Sequence, residues 1–147
     1  MNLFTLIIPL IVALVTQIIK LGFDGIKGNL SWRHILNDYG GMPSSHTALV
    51  CSLLTIVAFY NGLASTNFLI AFILALIVIR DAMGLRRYIG QSHELLNLLV
   101  KKIPLLRKRF QFMPIGHTPL QVLVGAITGF GLTIMLLALQ QYYLAII

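Results

Sequence analysis

Two histidines, His46 and His117, stand in closely similar settings, GGMPSSHTALV over 40–50 and PIGHTPLQVLVG over 114–125. Each stretch places glycine, proline and hydroxyl residues around an imidazole, directly before a long apolar run. A pair of imidazoles is what phosphoryl transfer through a covalent intermediate requires. One attacks phosphorus, the other protonates the leaving oxygen, and cations with backbone N–H groups hold the phosphate charge. Candidate cations lie in RDAMGLRR, 80–87, where Arg80, Arg86 and Arg87 flank Asp81. Arginine is the side chain best shaped for bidentate phosphate binding. An aspartate at the end of a membrane span is costly unless it is paired or wet, which makes it a functional candidate.

Each feature also has a plainer reading. Ser44 or Ser45 would cap a helix by satisfying orphan backbone N–H groups. The same helix start is a ready anion site, and Gly40 and Gly41 would allow close backbone approach. RDAMGLRR could be a topological stop signal with a single ion pair. The elements that carry these residues must decide between the readings.

Mean hydropathy is +0.90 and only 10% of the 147 residues are charged, where about 25% is usual for a soluble domain. The expected fold is therefore all-α: a polytopic membrane bundle forming one integral membrane domain over 1–147. Four segments are apolar enough to span or nearly span a bilayer, which takes about 20 residues. They run from Leu3 to Ile19, from about Thr47 to Tyr60, from Phe68 to Ile79 with Ala82 and Met83 as an extension, and from Leu120 to about Ile147. Gly125, Gly129 and Gly131 in the last run would let another helix approach closely. Cys51 lies inside an apolar run and reads as a packed thiol. The N-terminal run lacks a preceding Lys or Arg and a small-residue cleavage site, so a removable signal peptide is not expected.

The charges fix the sidedness. Lys20, Lys27 and Arg33 fall in the first connection, while Arg80, Arg86, Arg87, Lys101, Lys102, Arg107, Lys108 and Arg109 fall in the third. The second connection, Asn61 to Asn67, carries none. With four spans all 11 basic residues share one face, which the positive-inside rule makes cytoplasmic, with both termini outside. A net charge of +7 on so apolar a chain suits anionic membrane lipid rather than nucleic acid.

Between Leu85 and Ile103 the residues Leu85, Ile89, Leu96, Leu99, Val100 and Ile103 share a helical stripe, with Arg86, Arg87, Glu94, Asn97 and Lys101 opposite. This spacing predicts an amphipathic helix on the cytoplasmic interface, ended by Pro104. The basic run RKRF, 107–110, reads as a lipid-facing anchor.

Taken together, GGMPSSHTALV, DAMGLRR with a later LLN, and GHTPLQVLVGAITG resemble the divergent branch of the type-2 phosphatidic-acid phosphatase superfamily. That branch is related to acid phosphatases and vanadium-dependent haloperoxidases, and the resemblance covers nearly the whole chain. The wider superfamily reads Lys, six residues, Arg-Pro; then Pro-Ser-Gly-His; then Ser-Arg, five residues, His, three residues, Asp. By this resemblance Lys20 would bind phosphate, with Lys27 at the place of the arginine. Pro43, Ser44, Ser45 and His46 resemble the second block, with serine in place of glycine. The Ser44 and Ser45 backbone would cradle phosphate and His46 would be the general acid. His117 would be the nucleophile. Gln121 stands at the position of the aspartate, where its amide would hold the imidazole tautomer but stabilise an imidazolium less than a carboxylate does, and Gln111 stands at that of the arginine. Arg86 or Arg87 would then supply the missing cation, and Asp81 the orienting carboxylate.

The function this implies is a metal-independent phosphomonoesterase acting on a lipid phosphate at the cytoplasmic leaflet through a phosphohistidine on His117. Gln111 and Gln121 keep a second function open: a lipid-phosphate binder or transporter that retains the anion site without hydrolysis. A metal-dependent hydrolase built on Asp81, Glu94 and the histidines lacks close ligand spacing, so neither metal nor other cofactor is expected. Nothing in the chain points to a vanadate site open to peroxide. Four spans make a small bundle, which a homodimer would extend.

Overall fold

The computed structural model describes residues 3–24, 41–102 and 117–146. They form five helices: α1 (Leu3–Asp24), α2 (Ser45–Asn61), α3 (Thr66–Met83), α4 (Leu85–Lys101) and α5 (Pro119–Ile146). No strand occurs among the described residues, and the expected all-α membrane bundle is what the chain forms. Three stretches, Phe4–Gly22, Thr66–Val100 and Pro119–Ile146, are long and apolar enough to cross a bilayer, and the apolar α2 is shorter. At 1.5 Å per residue, the 17 residues of α2 reach about 25 Å. That falls just short of the roughly 30 Å hydrocarbon layer.

α2 is the hub and packs on α1, α3 and α5. A helix packed on three neighbours buries side chains on several sides. Accordingly Thr47, Ala48, Val50, Cys51, Ser52 and Ile56 are all buried. The fully buried residues of α3 are small, Ala71, Ala75 and Ala82. Its large residues, such as Leu69, Phe72 and Leu76, face outward. Gly62 takes a φ of 80° after α2, and Ser65 caps α3 by accepting from the Phe68 N–H at 3.1 Å. This short turn returns α3 antiparallel to α2.

One polar cluster sets the helix levels. Thr5 at the start of α1 meets the Tyr60 hydroxyl at 3.3 Å, and Gln140 Nε2 donates to Thr5 Oγ1 at 3.2 Å. The start of α1 therefore lies beside the ends of α2 and α5. Lys20 lies 15 residues on from Thr5, His46 14 residues back from Tyr60 and Gly125 15 residues back from Gln140, about 21–23 Å by helical rise. All three come to one height at the opposite end of the bundle. That end also holds the close of α3, so the end of α1, both sides of the α3–α4 junction and the starts of α2 and α5 share one face.

α2 and α5 run parallel and approach closely in four-residue steps. A Cβ on Gly125 would lie 2.5 Å from the Ser44 carbonyl oxygen, and one on Gly129 would lie 2.5 Å from that of Ala48. One step further, Thr133 Oγ1 donates to Ser52 Oγ at 2.6 Å, buried. Small residues on both helices give the backbone contact that drives helix association in lipid. Of the three glycines expected to admit a neighbour, Gly125 and Gly129 do so. Gly131 has nothing within 4 Å of its Cβ position and faces outward.

The amphipathic segment is helical from Leu85, as expected, but closes at Lys101 with Lys102 as its cap. The stripe member Ile103, the stop Pro104 and the RKRF run lie outside the described residues.

Candidate active site

Two backbone hydrogen bonds draw the three candidate blocks together. The Ser44 N–H donates to the Gln121 carbonyl at 3.2 Å, joining the start of α2 to the first turn of α5. The His117 N–H donates to the Ala82 carbonyl at 3.1 Å, joining the residue ahead of α5 to the last turn of α3. His46, two residues after Ser44, and His117 therefore sit on adjacent helix starts, with Asp81 in the turn that holds His117. Lys20 is buried at 5% exposure on α1 at this height.

The local chemistry of the α2 start explains its shape. Ser44 is fully buried and is the cap: its Oγ accepts from the Thr47 N–H at 3.4 Å and from the Thr47 hydroxyl at 3.0 Å. The preceding Met42–Pro43 peptide is cis. The expected phosphate cradle needs one correction here. The Ser44 N–H is directed to Gln121 O and the Thr47 N–H to Ser44 Oγ, so neither amide is aimed at a ligand. An anion at this helix start would be met by the amide of Ser45, the first helical position, which has no intrahelical acceptor.

The α5 start gives Gln121 a task of its own. Gln121 Oε1 accepts from the Thr118 N–H at 2.8 Å, and Thr118 Oγ1 accepts from the Gln121 N–H at 3.3 Å. This is the reciprocal capping box of a Thr-x-x-Gln sequence. The amide oxygen of Gln121 thus serves the helix start. His117 is 4% exposed, His46 is half-buried, and the Nδ1 atom of each ring is out of contact with solvent.

The other candidates divide. Asp81 is half-buried at the end of α3. Arg86 and Arg87 lie in the first turn of α4, and the described residues do not extend to their side chains. Gly40, Lys27 and Gln111 lie outside the described residues. Among those residues no three His, Cys, Asp or Glu side chains gather to hold a metal ion. The Thr118–Gln121 box and the Thr47 contact to Ser44 escaped the motif reading, although the four-residue box spacing is visible in the sequence. The Ala82 carbonyl carries no side-chain signal at all.

The chain is 34% identical over 148 residues to the uncharacterized membrane protein YuiD of Bacillus subtilis (strain 168), covering 90% of this chain and 93% of that protein. No solved structure matches it. Residues 1–132, which include every block of the candidate site, match the Divergent PAP2 family; the chain is a membrane protein and belongs to that family.

Proposed function

We propose that the chain is a lipid-phosphate phosphatase whose site faces the cytoplasmic leaflet. The observation that carries this reading is the pairing of His46 and His117 on adjacent helix starts, linked by the Ser44–Gln121 and His117–Ala82 bonds. The family relation and the basic residues collected at that end of the bundle support it further.

The phosphate monoester would be held by Lys20, by the Ser45 amide, and by Arg86 or Arg87. With Nδ1 of His117 buried, Nε2 is the nitrogen that attacks. A P–N bond forms as the P–O bond to the lipid breaks, and the proton on His46 passes to the departing lipid oxygen. Water then attacks phosphorus, giving its proton to His46, and the P–N bond breaks to release inorganic phosphate. Asp81, in the turn that holds His117, takes the orienting role that Gln121 does not.

A second reading is favoured by one observation. Gln121, where the wider superfamily has its aspartate, caps α5, which suits an anion site retained for lipid-phosphate binding or transport without turnover. A single assay separates the two. Purified protein is given phosphatidic acid, phosphatidylglycerophosphate or a prenyl phosphate without added metal. The phosphatase reading expects release of phosphate, whereas saturable binding with no release selects the second.

A further inference from the structure

α4 is turned inside out for a water-soluble helix. Its Gly90 is buried and its His93, Asn97 and Val100 are half-buried along one side, spaced i, i+3, i+7 and i+10, with Ser92 also half-buried. Its leucines point away from the protein: Leu85 is 62% exposed, Leu95 64% and Leu99 59%. Among the described elements α4 packs chiefly on α3. In water this arrangement would leave an apolar strip along about 25 Å of helix uncovered.

The charge on the same helix indicates what covers it. Arg86 and Arg87 stand at its start and Lys101 and Lys102 at its end, against the single acid Glu94. Cations at both ends of an outward apolar strip complement an anionic bilayer surface, where leucines enter the acyl boundary and cations meet headgroup phosphates. The junction feeding α4 is short. Gly84 has φ −99° and ψ −91°, a break between helices, and a Cβ there would lie 2.9 Å from the Arg80 carbonyl oxygen. Only Met83 and Gly84 separate α4 from Ala82, whose carbonyl holds His117.

We propose that α4 is a membrane-docked arm that seats its leucine face on an anionic lipid surface beside the candidate site. The inference does not depend on hydrolysis. Its test is a collision measurement on the full chain in nanodiscs of phosphatidylcholine, with or without phosphatidylglycerol. In a Cys51→Ala background, a nitroxide is attached at Leu99→Cys or at Glu94→Cys. The label at 99 should meet oxygen several times more often than a water-soluble nickel complex, with the order reversed at 94. The contrast should grow in the anionic discs. In Lys101→Gln/Lys102→Gln protein the anionic preference should fall about fivefold for each charge removed.

Equal nickel access at 99 and 94 in both discs would overturn the proposal. So would spin–spin broadening at 99 that vanishes on dilution with unlabelled protein, since a second copy would then cover the strip. Docking of equal strength in neutral and anionic discs would remove the anionic surface as the partner. None of these readouts requires phosphate release, so a failure here is distinct from a failure of the phosphatase reading.

Discussion

The Ser44 N–H donates to the Gln121 carbonyl at 3.2 Å, and this bond holds the starts of α2 and α5 side by side. It exists because Gly125, one turn further along α5, has no side chain to keep the Ser44 backbone away. The same contact repeats at Ala48 and Gly129. The spacing between the two histidine-bearing helix starts is thus set by glycines further along α5.

Gly125→Ala should therefore disturb the site from outside it. The added methyl would overlap the Ser44 carbonyl, a form of overpacking that costs about 1–3 kcal/mol. Gly131→Ala, with open space around it, should be close to neutral. Thermal unfolding in detergent, paired with binding of a lipid phosphate, checks this. Both quantities should fall for position 125 and hold for position 131.

The buried Thr133–Ser52 bond at 2.6 Å is the mid-membrane rung of the same seam. A cycle of Thr133→Val and Ser52→Ala should give a coupling of about 0.6 kcal/mol and at most about 1.7, the range for hydrogen bonds between membrane helices. Reversible unfolding in mixed micelles measures it. Strict additivity of the two single changes would show that the bond adds nothing.

Much of this architecture is legible in the sequence, for identifiable reasons. Apolar length marks α1, α3 and α5, and the collected lysines and arginines predict the common end that the Thr5–Tyr60–Gln140 cluster independently requires. The stripe through Leu85, Leu96 and Leu99 predicts α4. What escaped is carried by the backbone. Nothing about alanine at 82 announces that its carbonyl will hold His117, and the Ser44 amide reads as a phosphate ligand until Gln121 O is found opposite it. The motif places Gln121 by its distance from His117, whereas its distance from Thr118 makes the capping box.

That reassignment is testable. Gln121→Ala should weaken the α5 start by roughly 0.5–2 kcal/mol, the usual size of a lost cap. Gln121→Glu, which keeps the capping-box pattern, should restore the stability. Chemistry on the folded fraction should change little in either variant. A large fall in the single-turnover rate with unfolding unchanged would return Gln121 to the orienting role.

Lys20 is buried at the height of His46, so its ammonium is expected to act through charge on bound phosphate. Lys20→Met should weaken lipid-phosphate binding by about 10- to 150-fold, the equivalent of a charged hydrogen bond of about 1.5–3 kcal/mol. Lys20→Arg should recover part of that loss. Equilibrium binding to vesicles doped with phosphatidic acid reads both, and unchanged affinity in Lys20→Met would remove Lys20 from the site.

The most direct measurement on the histidine pair is a rapid quench into alkali, where a phosphohistidine survives, during turnover of a lipid carrying radiolabelled phosphate. The account predicts label on the peptide containing His117, its absence in His117→Ala, and loss of phosphate release in that variant. Release by His117→Ala at the rate of the unaltered protein would contradict it.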